Sequence, residues 1–228
     1  MLFSVLRNTA LSGGEKLCYL LILVFCVLLS LTVHELCHGL AAYWMGDKTA
    51  KYFGRLSLNP LHHMEPFGAL CLFLFGFGWA KPVPVDARNF KNPKAGMVVT
   101  SLAGPFSNFL LAFLAHLGAT LLLGMSFESG VSVGFRLATI CYILCQYLAM
   151  MNLGLGIFNL IPIPPLDGSK VLSAILPARW YFKLMQYERY GFILLILFIN
   201  LPLFNEILFA IENGILGFYD VIIRFLIG

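Results

Sequence analysis

Charge is scarce in this sequence. Asp, Glu, Lys and Arg make up 11% of its 228 residues, against about 25% in an average soluble domain, while hydrophobic residues reach 60%. That shortage excludes an ordinary water-soluble fold, and a mean hydropathy of +0.86 makes the membrane span the relevant unit. Disorder is excluded too, because chains that stay unfolded combine low hydrophobicity with high net charge, and the net charge here is +4. So small a charge gives no reason to expect a nucleic-acid partner. A secreted disulfide framework is also missing. Six cysteines are present (Cys18, Cys26, Cys37, Cys71, Cys141, Cys145), but they lack regular spacing and five lie in apolar stretches, so they read as small buried side chains. Cys141 and Cys145 share a helix face, yet two thiols without further ligands make a poor metal site.

What is present is a series of long uncharged runs. Residues 17–33 carry no charge and the apolar character resumes to Met45, too long for a signal peptide and without its small-residue cleavage site. Two further runs extend from Ala95 to Phe127 and from Leu137 to Leu166. Each can cross a hydrocarbon core that takes about 20 helical residues, which predicts three core transmembrane helices. The C-terminal part is more mixed, with Pro202, Glu212, Asp220 and Arg224, and reads as one or two further helices. Phe67–Ala80 is apolar but too short to span, and Gly76 and Gly78 break it. It reads as a re-entrant loop or short β segment leading into the extended Lys81-Pro82-Val83-Pro84-Val85. Trp79 beside Lys81 fits an interfacial anchor. The expected fold is an all-α polytopic membrane protein. It forms a single domain over 1–228, with a core over 17–170 and a C-terminal helical segment over 171–228.

Orientation follows from the basic residues. The connection from 47 to 94 carries Lys48, Lys51, Arg55, Lys81, Arg88, Lys91 and Lys94, whereas the next one carries only Arg136. The positive-inside rule therefore puts the first connection in the cytoplasm and the N-terminus outside.

The first run contains His34-Glu35-Leu36-Cys37-His38. Residues four apart stack on one helix face, so both imidazoles can point at one metal ion with Glu35 beside them. In the H-E-x-x-H arrangement of metalloproteases, the histidines hold zinc and the glutamate handles the proton of the attacking water. A solvated helix face is the bland reading of such a pattern, but three ionisable side chains inside a span are costly and point to function. Counting ten residues back from Lys48 places His38 about 15 Å inside the cytoplasmic end of its helix. Two histidines leave catalytic zinc one protein ligand short. The metzincin extension is excluded by Ala41 and Trp44, where it needs glycine and histidine. Candidates for the third ligand are Glu65, His63 and Asp167. The last follows Pro162, Pro164 and Pro165, which cannot continue a helix and can turn the carboxylate sideways.

Three motifs in this order are similar to those of the site-2 protease family of zinc intramembrane metalloproteases. They are HELCH, Ala103-Gly104-Pro105-Phe106-Ser107-Asn108, and Asn159-x-x-Pro162 through Leu166-Asp167-Gly168. RLSLNPLHHMEPFG and FGFGWAKPVPVD join them, although Glu65 stands where the family usually has aspartate and His62 is extra. The resemblance covers residues from about 34 to 170 and implies a compact family member without an added soluble domain. It implies one Zn2+ per chain on His34, His38 and Asp167, with Glu35 as general base. It further implies regulated cleavage of membrane-spanning protein substrates in the lipid bilayer of the cell (inner) membrane, with room for a regulatory membrane partner or a homo-oligomer. Gly104 and Asn108, four apart, read first as a helix-packing pair. Asn108 is also a candidate for the oxyanion, and Asn159 for unwound substrate, which is expected to pair as a strand with Phe67–Val85. His116 reads as a hydrogen-bonded core residue. The competing reading is a non-catalytic membrane metal-binding protein or scaffold. It predicts ligands strung along a path and has no need of Glu35. A prenyl-protein type of H-E-x-x-H membrane protease is expected to use a downstream glutamate, which the Asp167-Gly168 motif opposes.

Overall fold

The computed structural model describes residues 12–75, 80–124, 133–186 and 188–227. In chain order its helices are α1 (Gly13–Trp44), α2 (Thr49–Tyr52), α3 (Pro66–Phe75), α4 (Pro93–Gly124), α5 (Val133–Asn159), α6 (Asp167–Ile175), α7 (Ala178–Met185), α8 (Glu188–Ile199) and α9 (Pro202–Ile227). Among the described residues there is no strand. Among the described residues three helices, α1, α4 and α5, are long and apolar enough to cross a membrane.

Their packing inverts the soluble pattern. On α4 the large residues Leu102, Phe106, Leu110 and Leu114 recur every fourth position and are exposed. Gly104, Ser107, Asn108, Ala112, Ala115 and Ala119 are buried against the neighbouring helices. In lipid, outward apolar side chains cost nothing, and small residues on the inner face let backbones approach closely. Thus α4 lies centrally against α1, α5 and α6. Ile22 and Cys26 of α1, Ala115 of α4, and Leu148 and Ala149 of α5 form one buried cluster. Polar pins cross the bundle as well. The Asn152 amide donates to Ser30 Oγ at 2.8 Å, tying α5 to α1. The His116 ring and Asp220 meet at 2.8 Å, tying α4 to α9, so His116 is the hydrogen-bonded residue expected.

Three expectations shift. The segment after Glu65 is helical over Pro66–Phe75 where strand character was anticipated. Its apolar residues run continuously, a pattern that suits a short helix as well as a strand. Residues 76–79, with Gly76, Gly78 and the proposed anchor Trp79, lie outside the described residues. Only Cys26 is fully buried, and Cys141 is exposed, since lipid accepts an outward thiol as readily as a core does; all six cysteines are free. Finally, α1 ends at Trp44, in a turn through Met45 and Gly46, rather than running to Lys48. His38 is therefore six residues from the helix end, a depth of about 9 Å at 1.5 Å per residue.

Candidate metal centre

Helix α1 puts His34 and His38 on one face, and the chain brings Asp167 to them from 129 residues away. His34 Nε2 lies 3.1 Å from Asp167 Oδ2, His38 Nε2 lies 2.9 Å from the same oxygen, and the two Nε2 atoms are 3.0 Å apart. Both rings and the carboxylate are buried. The turn that delivers Asp167 needs Gly168, because a Cβ there would strike the Leu160 and Ile161 carbonyls at the end of α5. The prolines end α5 at Asn159, the chain folds back through 160–166, and Asp167 opens α6.

The surroundings fix which atoms face inward. His38 Nδ1 donates to the Thr100 carbonyl at 2.6 Å, and His34 Nδ1 donates to Asn108 Oδ1 at 3.1 Å. With both Nδ1 atoms protonated, both Nε2 lone pairs face each other and an anionic carboxylate oxygen. Three acceptors this close and shielded from water repel unless a cation lies among them. Donor atoms around tetrahedral zinc, with bonds of roughly 2.0–2.1 Å, stand about 3.3 Å apart, close to the observed separations. The residues therefore fit a zinc ion. Lys170 Nζ donates to Asp167 Oδ1 at 2.9 Å, occupying the second carboxylate oxygen and leaving Oδ2 for the centre.

Gly104 has a sharper role than helix packing alone. A Cβ at this position would overlap the His38 ring and touch the His34 ring. The α1–α4 approach is close because the two imidazoles occupy the space a side chain would fill. Asn108, a candidate for the oxyanion, has its carbonyl oxygen on His34 Nδ1, while its Nδ2 has no hydrogen-bond partner among the described residues. Asn159 is not brought to the centre by its amide, which donates to the Leu155 carbonyl of its own helix at 3.0 Å. The rival ligands are engaged elsewhere. Glu65 accepts from the Gly68 N–H at the start of α3, and His63 donates to the Ser57 carbonyl at 2.7 Å. His62 donates to the Gly54 carbonyl at 3.0 Å.

Glu35 Oε2 accepts from the Val83 backbone N–H at 2.9 Å. This contact comes from the extended segment after residue 80, and it limits the strand pairing expected there. The Lys81 N–H is already given to the His63 carbonyl, Val83's to Glu35, and Pro82 and Pro84 have none. A substrate strand therefore finds few donors on this stretch. Thr100, Lys170 and Val83 were not singled out from the sequence. Lys170 had a signal, standing three residues after Asp167 on the same helix face; a backbone carbonyl or amide has none.

Comparison with known proteins bears on this donor set. The profile of Peptidase family M50 matches residues 22–199, which include His34, Glu35, His38 and Asp167. The chain belongs to Peptidase family M50, the site-2 proteases. Over 197 residues it is 40% identical to "Putative zinc metalloprotease YwhC" of Bacillus subtilis, covering 84% of this chain and 86% of that one. It is 29% identical over 188 residues to "Putative zinc metalloprotease Rip2" of Mycobacterium tuberculosis, covering 81% and 68%. It is 36% identical over 103 residues to "Zinc metalloprotease MJ0392" of Methanocaldococcus jannaschii, covering 45% and 26%. No solved structure matches the chain significantly. As an M50 peptidase with three spanning helices it is a multi-pass membrane metalloprotease whose cofactor is zinc.

Proposed function

We propose that this M50 chain is an intramembrane endopeptidase that cuts membrane-spanning segments of other proteins in regulated proteolysis. The carrying observation is the convergence of His34, His38 and Asp167 beside Glu35, inside a helix long enough to span. His34, His38 and Asp167 are the proposed zinc ligands and Glu35 the general base. Zinc held there would supply positive charge that lowers the pKa of water to about 7 and polarises a carbonyl. The chain's own groups do the rest. Val83 N–H holds one Glu35 oxygen, leaving the other to take a proton from the attacking water and return it to the departing amide nitrogen. Asn108 and Thr100 hold the imidazoles in the tautomer that presents Nε2. Burial of all four side chains excludes bulk water, and a substrate helix has to unwind locally before its peptide bond reaches them.

The basic 47–94 connection supports a site towards the cytoplasmic face of the cell (inner) membrane, with the N-terminus outside. We treat 1–228 as a single membrane-embedded unit. The test is purified protein with measured zinc, incubated with single-span substrates as wild type and as Glu35→Gln. The expected result is unchanged zinc and lost cleavage. Cleavage by Glu35→Gln at the wild-type rate would remove Glu35 from the chemistry, and no cleavage by either protein would favour the non-catalytic metal-binding scaffold.

A further inference from the structure

We propose that Asp47, outside the metal centre, is a positioning residue for the reaction, acting through the segment 80–86 upon Glu35. The inference rests on Glu35 being the general base. Residues 80–86 form no helix or strand and run along α1 as a strap. Three backbone N–H groups anchor it: Lys81 on the His63 carbonyl at 2.9 Å, Val83 on Glu35 Oε2 at 2.9 Å, and Asp86 on Asp47 Oδ2 at 2.7 Å. Asn89 adds its amide to Asp47 Oδ1 at 2.8 Å. Asp47 is in turn fixed to α1, since its own N–H donates to the Ala42 carbonyl at 2.9 Å and its side chain is wholly buried. The helix that carries Glu35 therefore also carries the fixed point from which the strap is measured.

Two features make the strap a rigid gauge rather than a loose tether. Pro82 and Pro84 flank Val83 and lock φ on both sides, so a shift at Asp86 reaches Val83 with little absorbed between them. Val83 is also seated by Gly39, one turn after Glu35 on the same face of α1. A Cβ at Gly39 would lie 3.5 Å from Val83 Cγ1 and only 2.7 Å from Leu56 Cδ2. Glycine here makes room for Leu56, and Val83 packs at ordinary van der Waals range on this face of α1, where its N–H meets Glu35. A misplacement of order 1 Å in a reacting group costs about 100-fold in rate.

The test uses the full-length zinc-loaded protein and a single-span substrate. In Asp47→Asn the remaining carbonyl oxygen stays with the Thr49 and Asn89 donors and the N–H2 faces the Asp86 N–H, which releases the strap's far end. The expected result is a kcat about 10- to 100-fold lower, with KM and zinc content at wild-type values. Val83→Pro deletes the N–H that reaches Glu35 and should lower kcat likewise. If Asp47 acts through Val83, the double variant is no slower than Val83→Pro alone, whereas independent roles multiply. An unchanged kcat in Asp47→Asn, a change confined to KM, or multiplying effects would overturn the proposal. If Asp47→Asn does not fold, the exposed change Asn89→Ala takes its place: a lower kcat at constant KM supports the strap, and a wild-type kcat overturns it. Glu35→Gln is run alongside. If it is inactive while Asp47→Asn is normal, only the positioning role fails; if it is active, the reading beneath fails.

Discussion

Replacing Asn108 by alanine separates two roles for that residue by measurement. In the structure its Oδ1 accepts from His34 Nδ1, and its Nδ2 has no hydrogen-bond partner among the described residues. Removing the acceptor leaves a buried imidazole N–H unpaired, which costs about 1–3 kcal/mol. It also frees the ring to turn its Nε2 away from His38 and Asp167. Loss of such an outer hydrogen bond typically weakens metal binding by about 10- to 100-fold, equivalent to about 1.4–2.7 kcal/mol. The two routes agree. The assay is zinc retained by the purified protein against a graded competing chelator. Asn108→Asp keeps an acceptor for His34 and gives up only the unpartnered N–H2, so it should hold zinc far better than Asn108→Ala. If Asn108→Ala kept zinc at the wild-type affinity while losing kcat, the residue would be acting on the transition state and the orienting role would be refuted.

Three other outcomes are expected. Asp167→Ala should lose zinc while Glu65→Ala keeps it, because Glu65 caps α3 instead; metal analysis showing the reverse would move the third ligand. Gly104→Ala should gain about 1 kcal/mol of helix propensity and yet lose zinc, since the added methyl falls on both imidazole rings; metal content and thermal unfolding of the same sample separate the two effects. Burial alone would raise the Asp47 carboxyl, but hydrogen bonds from Thr49, Asp86 and Asn89 hold it below its ordinary 3.8. A lowered folded-state value means stability that is complete above the unfolded value and is lost as pH falls through the folded one. Thermal unfolding in detergent should therefore show wild type losing its advantage over Asp47→Asn only below about pH 4; an advantage that persisted through that range would refute the assignment.

The membrane class and the number of core spans were legible in composition because lipid imposes them on each segment separately. A run of about 20 uncharged residues has to satisfy its own backbone hydrogen bonds as a helix, whatever it packs against. His34, Glu35 and His38 were legible for the same local reason, since helical periodicity alone stacks positions four apart. Asp167 was legible as a candidate, and spacing alone could not choose it over Glu65 and His63. Its approach to the two histidines depends on a turn through 160–166 and on Gly168 meeting the end of α5, contacts between residues that the sequence does not place side by side. The β alternative for the segment after Glu65 gives way to a short helix, because a continuous apolar run carries no period to separate helix from strand. The Thr100 carbonyl, the Val83 N–H and the reach of Asp47 to Asp86 had no sequence signal, because every residue carries a backbone and only the fold decides whose backbone comes near. Sequence thus determined which side chains can do chemistry within one helix, and tertiary structure decided which distant groups hold them in place.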